Sequence, residues 1–189
     1  MIFNSKTRKM INVLQLLQKY YDRSSPAYTV LLRHSLAVAQ KALEIARRHP
    51  QENFDLVFVA EAAMLHDIGI FLTNSPRIFC SGEKPYICHN YLGAEILRRE
   101  GLPKHALVCE RHTGTGISLA QIEAENLPLP HRDMVPVSPE EQLICFADKF
   151  FSKSRLEKEH TVDEIRKELS TFGAETLARF DAWNERWNC

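Results

Sequence analysis

The chain has 189 residues, 44% of them hydrophobic, which suffices for one buried core and is too few for two well-packed ones. Lysine plus arginine and aspartate plus glutamate both number 24, so no global field attracts the chain to nucleic acid or to an anionic membrane. No long apolar signal segment is visible, and no apolar run approaches the roughly 20 residues that a spanning helix needs. Five cysteines without a CxxC pair indicate a reduced compartment. We therefore expect a single cytoplasmic domain over residues 1–189 that binds neither membranes nor bulk nucleic acid.

The first two elements are predicted to be helices because apolar residues recur at spacings of three and four. An amphipathic helix is expected around residues 11–21. Ser25 followed by Pro26 is typical of an N-cap with proline at the first helical position, so a second helix begins there. It ends near Arg48, where cations complement the helix dipole, and its apolar stripe includes His34.

A third helix, over about residues 54–65, is almost wholly apolar and is therefore expected to lie centrally. It runs directly into His66 and Asp67, and Gly69 is predicted to stop it. Turn residues dominate the following stretch, 73–86, so we expect a loop there that shapes a neighbouring site.

The rest of the chain also has a helical pattern. Helices are predicted over residues 89–101 and 103–112, and three prolines make 127–136 irregular. Capping-box patterns at Ser138 and Thr161 open two further helical stretches.

The fold class that follows is an all-α, single-domain helical bundle, because no strand-like alternation is visible. Residues of about 28–157 form the part that carries the motifs, and C-terminal helices over 161–188 are expected to pack on it. Aromatic residues at helical spacing in that C-terminal part are more often core than interface, so a homodimer surface is the less favoured alternative.

The pair His66-Asp67 is the most informative motif, because it offers an imidazole nitrogen and a hard oxygen from one short piece of backbone. Further histidines and aspartates fall where they could join it, and an unpaired carboxylate in the apolar run around Asp148 would be costly to bury without a cation. The four remaining histidines, 49, 105, 131 and 160, are interpreted as ordinary ones. The candidate metal ligands are His34, His66, Asp67, His89, His112 and Asp148.

The order H…HD…H…H…D, with His-Asp-Ile-Gly at residues 66–69, resembles the HD-domain superfamily of metal-dependent phosphohydrolases over roughly Arg33 to Ser154. The resemblance implies hydrolysis of a phosphoester or phosphoanhydride bond by a metal-activated water, and it is strongest to small stand-alone HDIG members, some of which act on nucleotides. The substrate is then a nucleotide or another small phosphorylated metabolite. Cyclic-di-GMP is disfavoured, because the Gly-Tyr-Pro signature of the enzymes that cleave it is missing.

The resemblance also favours two metal ions, since His89 and His112 occupy the stretch where binuclear members recruit further histidines. It implies one ion on His34, His66, Asp67 and Asp148, and a second on Asp67, His89 and His112, with Asp67 bridging. Mixed imidazole and carboxylate ligation suits iron or manganese, while zinc, nickel or magnesium stay possible.

Three cations neighbour these ligands and could bind the negative charge that develops during hydrolysis, so Arg111, Lys149 and Lys153 join Asp67 as candidate catalytic residues. Surface solvation or an ion pair is the alternative for each cation, most of all for Arg111. Cys80 and Cys88 are interpreted as inert thiols.

The rival hypothesis is a non-catalytic module of the HD type that binds a nucleotide or regulates a partner. Catalysis is favoured over it, because all six ligand positions hold metal-competent residues. No glycine-rich phosphate loop and no GxSxG elbow are present, which argues against ATP-driven transfer and serine hydrolysis.

Overall fold

The computed structural model describes residues 10–187, and helices dominate it, as the sequence predicts. No helix in that range is long and apolar enough to cross a lipid bilayer. The α-helices are α1 (Val13–Leu17), α2 (Pro26–Arg48), α3 (Leu56–Leu65), α4 (His89–Arg99), α5 (Pro103–Arg111), α6 (Leu119–Ala124), α7 (Pro139–Asp148), α8 (Val162–Leu169) and α9 (Ala174–Trp187).

The longest helix, α2, begins as its sequence indicates. The Ser25 hydroxyl accepts a hydrogen bond from the Tyr28 backbone N–H, and Pro26 occupies the first turn, where a missing N–H costs nothing. Helix α2 packs against α3 and α7. Its apolar stripe divides between two hydrophobic clusters, because Leu31 belongs to one and Val38 to the other. His34 lies between these two residues in sequence.

The C-terminal aromatic residues pack into the core, as their spacing predicts. Phe180 and Trp187 are fully buried and Trp183 is nearly so, all in one cluster with α2, α3 and α7. The ring centroids of Phe146 and Trp187 lie 5.2 Å apart, which ties α9 to α7.

Three parts of the prediction differ from the structure. Helix α1 covers Val13–Leu17 rather than 11–21, since the chain turns away after Gln18. A short helix, α6, capped by the Ser118 hydroxyl, precedes the irregular stretch 127–136, in a segment for which the sequence predicts no helix. Two small antiparallel hairpins are also present. Their strands are β1 (Asn74–Ser75), β2 (Cys80–Ser81), β3 (Phe151–Ser152) and β4 (Arg155–Glu159).

Gly69 has a different role from the predicted helix stop. Helix α3 ends at Leu65, and Gly69 has an ordinary right-handed backbone, with φ at −84°. A Cβ at Gly69 would lie 2.2 Å from the His89 carbonyl oxygen and 2.5 Å from the Gly93 nitrogen. The absence of a side chain therefore lets the backbone after Asp67 touch helix α4 and places His89 beside it.

Candidate metal centre

The six residues that the sequence proposes as metal ligands meet in one place. They form two groups whose possible ligand atoms lie within 4.8 Å of one another. All six side chains are buried, and Asp67 belongs to both groups. The first group is His34, His66, Asp67 and Asp148, and the second is Asp67, His89 and His112.

Asp67 occupies the centre because its two carboxylate oxygens face opposite groups. Its Oδ2 lies 3.2 Å from His34 Nε2 and 3.1 Å from His66 Nε2. Its Oδ1 lies 3.3 Å from the Nε2 atoms of both His89 and His112. Among the described residues, no histidine contact to either oxygen has proper hydrogen-bond geometry, so the four imidazoles surround the carboxylate without forming hydrogen bonds to it.

Three of the histidines are held by the same local device. His66, His89 and His112 each follow the last turn of a helical segment, where carbonyl groups lack an internal partner. Each ring places its Nδ1 at 2.6, 2.6 and 2.7 Å, respectively, from the carbonyl oxygen three residues earlier. If Nδ1 carries the proton and donates it there, the lone pair of Nε2 points into the cluster, as metal coordination requires.

The histidine Nε2 atoms face one another and the carboxylates, and this arrangement indicates whether the site can hold cations. The Nε2 atoms of His89 and His112 lie 3.1 Å apart, and with both Nδ1 atoms donating to carbonyls, two lone pairs oppose each other. Such an arrangement is repulsive unless a cation lies between the two nitrogens. In the first group His34 Nε2 is 2.9 Å from Asp148 Oδ1, and His66 Nε2 is 3.4 Å from the same oxygen. The residues present therefore fit two divalent ions that share Asp67.

The pKa values of the cluster reflect a competition between burial and charge. Burial favours the neutral form of His66, but the carboxylates of Asp67 and Asp148 together outweigh burial and raise the pKa of His66 to about 9. Burial lowers the pKa of His112 to about 3, so this ring is neutral. Burial would raise the pKa of Asp67, yet neighbouring His66 and Lys153 hold it well below its usual range. The centre thus keeps its carboxylates ionised and ready for cations.

Two of the three proposed cations lie at the cluster. Lys153 Nζ is 2.7 Å from Asp67 Oδ2, and Lys149 Nζ is 2.8 Å from Asp148 Oδ2. Lys149 also donates a hydrogen bond to the His112 carbonyl oxygen at 3.2 Å. Burial would lower the pKa of each amine, but the adjacent carboxylate raises it above its ordinary value, so both stay charged.

Arg111, the third proposed cation, points elsewhere. Its guanidinium lies 2.8 Å from the buried Glu141 carboxylate and ties the end of α5 to α7. The same carboxylate accepts a hydrogen bond from the Val137 N–H at 3.0 Å, so the capping box predicted at Ser138 closes on its hydroxyl side alone. Arg111 therefore orients the helix that ends at His112 and does not reach the cavity beside it.

Tyr86 is a site residue that the sequence did not single out. Its ring stacks on His89 at 4.6 Å between centroids, and its carbonyl accepts from the same histidine. Lys153 Nζ lies 6.0 Å from its centroid, and burial raises the pKa of the phenol to about 12. The available signal was its position three residues before a candidate ligand, where a backbone carbonyl can fix the imidazole.

The histidines interpreted as ordinary stay outside both groups. His105 is buried 3.2 Å from the Glu61 carboxylate, and His131 is exposed. Two cysteines near the site are buried as well. Burial raises the pKa of Cys80 to about 11 and also raises that of Cys88, which keeps both thiols protonated and agrees with their inert interpretation.

The metal centre opens into a cavity of about 690 Å³. His89, His112 and Asp148 line its inner end together with the two lysines. The walls come from the two irregular stretches, the β3–β4 hairpin and helices α8 and α9. They carry apolar side chains, which include Ile117, Leu127, Ile165, Leu169 and Phe172.

Comparison with known proteins assigns a family to this arrangement. A family model described as HD domain matches residues 31–152, a range that contains all six ligand candidates. The chain is 34% identical over 143 residues to an uncharacterized protein of Methanocaldococcus jannaschii, which covers 74% of this chain and 77% of that protein. No solved structure matches it.

Two further relatives are much longer than this chain. A protein of Thermoplasma volcanium named tRNA (cytidine(56)-2'-O)-methyltransferase is 35% identical over 168 residues, which is 88% of this chain and 44% of the relative. A protein of the same name from Picrophilus torridus is 35% identical over 135 residues, 71% of this chain and 35% of the relative. The chain therefore spans less than half the length of either methyltransferase.

Proposed function

The chain belongs to the HD-domain family, and we propose that it is a metal-dependent phosphohydrolase acting on a nucleotide or another small phosphorylated metabolite. The observation that carries the proposal is the position of Asp67, whose two oxygens face two separate groups of buried ligands. A carboxylate so placed can bridge two cations and offset their mutual repulsion. Iron and manganese suit this mixture of imidazole and carboxylate oxygen best.

The proposed chemistry divides between the ions and the protein. Two divalent ions held by these residues would lower the pKa of a bound water and polarise a phosphoryl oxygen, which phosphoester hydrolysis near neutral pH requires. The ammonium groups of Lys149 and Lys153 neutralise charge on the phosphoryl oxygens. Lys153 forms an ion pair with Asp67 in this structure, so we propose that its ammonium moves to the substrate phosphate when cations satisfy that carboxylate.

The cavity supports a substrate with a phosphate at one end and a larger, partly apolar body. Its volume of about 690 Å³ falls within the roughly 300–1,000 Å³ of small-molecule sites. The inner end is charged, whereas Ile117, Leu127 and Leu169 offer an apolar wall further out. A nucleoside phosphate has both features, since its base packs on apolar surface while its phosphate faces cations.

The relatives named tRNA methyltransferases widen the set of substrates worth testing. Since this chain covers 44% of one and 35% of the other, their methyl-transfer activity is not carried over to it. Their names do give a reason to include phosphoesters derived from RNA, such as nucleoside 2'-, 3'- and cyclic phosphates, beside the 5'-nucleotides.

A hydrolysis screen tests the proposal. The full chain, loaded separately with manganese, iron, nickel and magnesium, is incubated with mono-, di-, oligo- and cyclic nucleotides and with sugar phosphates, and released phosphate or product is measured. We expect turnover of one phosphoester class that a chelator abolishes and added metal restores. Tight binding of metal and nucleotide with no turnover of any member would contradict the proposal and support the non-catalytic module instead.

A further inference from the structure

A second depression, of about 490 Å³, adjoins the metal cavity on the outside of the β3–β4 hairpin. The two share four lining residues and are therefore direct neighbours. The shared residues are Arg77, Lys153, Ser154 and Arg155. We call this depression the basic groove.

The basic groove concentrates positive charge in a chain whose formal net charge is zero. Five of its lining residues are cations and none is acidic. Arg33, Arg77 and Arg155 are exposed, and no carboxylate in the described part of the chain forms an ion pair with them. Lys153 and Lys158 are paired with Asp67 and Glu164, respectively, so the three arginines carry the unbalanced charge. Like charges held together repel, and a polyanion lying along the groove would offset that repulsion.

Phe79 adds an aromatic surface at the edge of the basic groove. Its side chain is 61% exposed, although phenylalanine is usually buried. Its backbone is left-handed, with φ 59° and ψ 29°, a conformation that costs energy for a residue with a Cβ. A local strain that holds a large ring in solvent beside five cations is typical of a surface that stacks on a planar, anionic ligand.

We propose that the basic groove binds the backbone of a single-stranded nucleic acid whose terminal phosphate enters the metal cavity. This inference rests on the proposed phosphohydrolase function and names its substrate class. The metal cavity alone is large enough for one nucleotide, so a mononucleotide leaves the groove unused. The phosphates of a single strand can bind the guanidinium groups, and its bases can stack on the exposed ring. Neither contact depends on the base sequence.

Binding as a function of ligand length tests the proposal independently of hydrolysis. Single-stranded oligonucleotides of one, two, four and six residues, with phosphorothioate linkages and a terminal thiophosphate to resist cleavage, are titrated with the full metal-loaded chain, and binding is followed by fluorescence anisotropy. We expect the affinity at low salt to rise about tenfold or more from the mononucleotide to the tetramer as a base stacks on Phe79. Equal affinity for all four lengths would overturn the proposal.

Salt dependence identifies which cations contact phosphates. For single strands the slope of log affinity against log salt is about −0.7 per neutralised phosphate. Arg33→Ala should make the slope for the tetramer shallower by about 0.7 while mononucleotide binding stays within about twofold, because Arg33 lines the groove and not the metal cavity. The matched control is Arg47→Ala, which removes an exposed arginine from the far end of the same helix as Arg33. An equal effect of Arg47→Ala would show that binding is bulk electrostatic attraction. That result, or an unchanged slope in the groove variant, would contradict binding of phosphates in the groove.

The aromatic contribution has its own test. Phe79→Leu should weaken tetramer binding about fivefold or more without changing the salt slope, because stacking does not release counterions. Phe79→Tyr should restore binding, since its ring stacks equally well. If Phe79→Leu binds the tetramer as tightly as the unchanged chain does, the ring is not a stacking surface. The groove would then be an electrostatic patch only, which contradicts the proposal.

The two proposals fail in distinguishable ways. Length-dependent binding without hydrolysis of any oligonucleotide end would retain the groove and reject catalysis. Hydrolysis of mononucleotides with no gain in affinity for longer strands would retain the enzyme and reject the groove.

Discussion

The two halves of the metal centre are built differently, although they share Asp67. The first half contains both carboxylates, each with a lysine within 2.8 Å, and its histidines lie on or directly after helices of the central core. The second half has histidines alone besides Asp67 and depends on α4 and α5. A site rich in anions holds a cation more firmly than one of neutral imidazoles, so we expect the first ion to bind more tightly than the second.

The packing beneath the two halves differs in one contact. His34 lies on a helix that contributes to two hydrophobic clusters, whereas His89 is placed by the close approach of Gly69 to the α4 backbone. Helices α4 and α5 also contribute buried residues to one of these clusters, so both halves rest on the core, and the close contact at Gly69 is a feature of the second half. We expect substitutions in this centre to range in effect from loss of both ions to loss of neither.

Asp67→Asn removes the carboxylate that both halves use. The variant is nearly isosteric, so the helical circular dichroism spectrum should be retained, but the repulsion between the two cations is no longer offset. We expect bound metal below one equivalent by elemental analysis. Loss of a residue that hydrogen-bonds to a metal ligand lowers activity by up to roughly 100-fold. Loss of the shared ligand itself should lower the rate of hydrolysis by more than that. A variant with full metal content and unchanged turnover would break the account of the centre.

His112→Ala separates the halves. It removes a ligand of the second ion and leaves the first group intact, so about one equivalent of metal should stay bound while turnover drops severely. Asp148→Asn is the converse variant and should spare the ion on His89 and His112. If His112→Ala kept wild-type turnover, the second ion would be dispensable and the chemistry would belong to a single metal.

The sequence singled out six candidate ligands that the structure brings together, because metal chemistry restricts residue types and their order along the chain. His34, Asp67 and Asp148 could be identified without knowing their distances, since a buried carboxylate needs a cation or a partner. The helices were equally accessible, because their apolar periodicity extends over many residues. Strands of two residues, such as β1 and β2, show no alternation to detect, which explains why the first hairpin was missed. In the second hairpin β4 has five residues, but only one of them is apolar, so it shows no alternation either.

Contacts between distant segments could not be predicted from the sequence. Arg111 directly precedes the candidate ligand His112 in sequence yet pairs with Glu141, 30 positions away. Tyr86 and Phe79 lie in a stretch that turn residues marked as a loop, and neither stacking on His89 nor exposure beside arginines leaves a local pattern. The role of Gly69 likewise depends on where α4 packs.

Gly69→Ala tests the contact that positions the second half. Its Cβ would meet backbone atoms that cannot yield without moving α4, so the melting temperature should fall by about 2–4 °C for each kcal/mol lost. The affinity for the second ion should weaken with it. Gly101→Ala is the control, because its φ of 75° also carries a backbone cost but its Cβ meets no atom within 4 Å. A loss of metal in both variants alike would make the effect one of general stability.

Lys149→Ala should change chemistry and leave both ions in place. Its ammonium lines the cavity, so we expect kcat/KM to fall about 10- to 100-fold, the loss of one charged hydrogen bond to phosphate. Metal content should stay as in the unchanged chain, as it should in Lys104→Ala, an exposed control on α5. Loss of metal from Lys149→Ala would instead show that Lys149 positions the Asp148 carboxylate for metal binding.

The most direct test of the shared carboxylate is electron paramagnetic resonance of the metal-free chain titrated with manganese(II). Two ions bridged by Asp67 lie close enough for magnetic exchange, so the account predicts uptake of two equivalents, the second converting an isolated-ion spectrum into an exchange-coupled one. His112→Ala should keep the isolated-ion spectrum at every addition. Saturation at one equivalent, or two equivalents with uncoupled spectra, would contradict a binuclear centre built on Asp67.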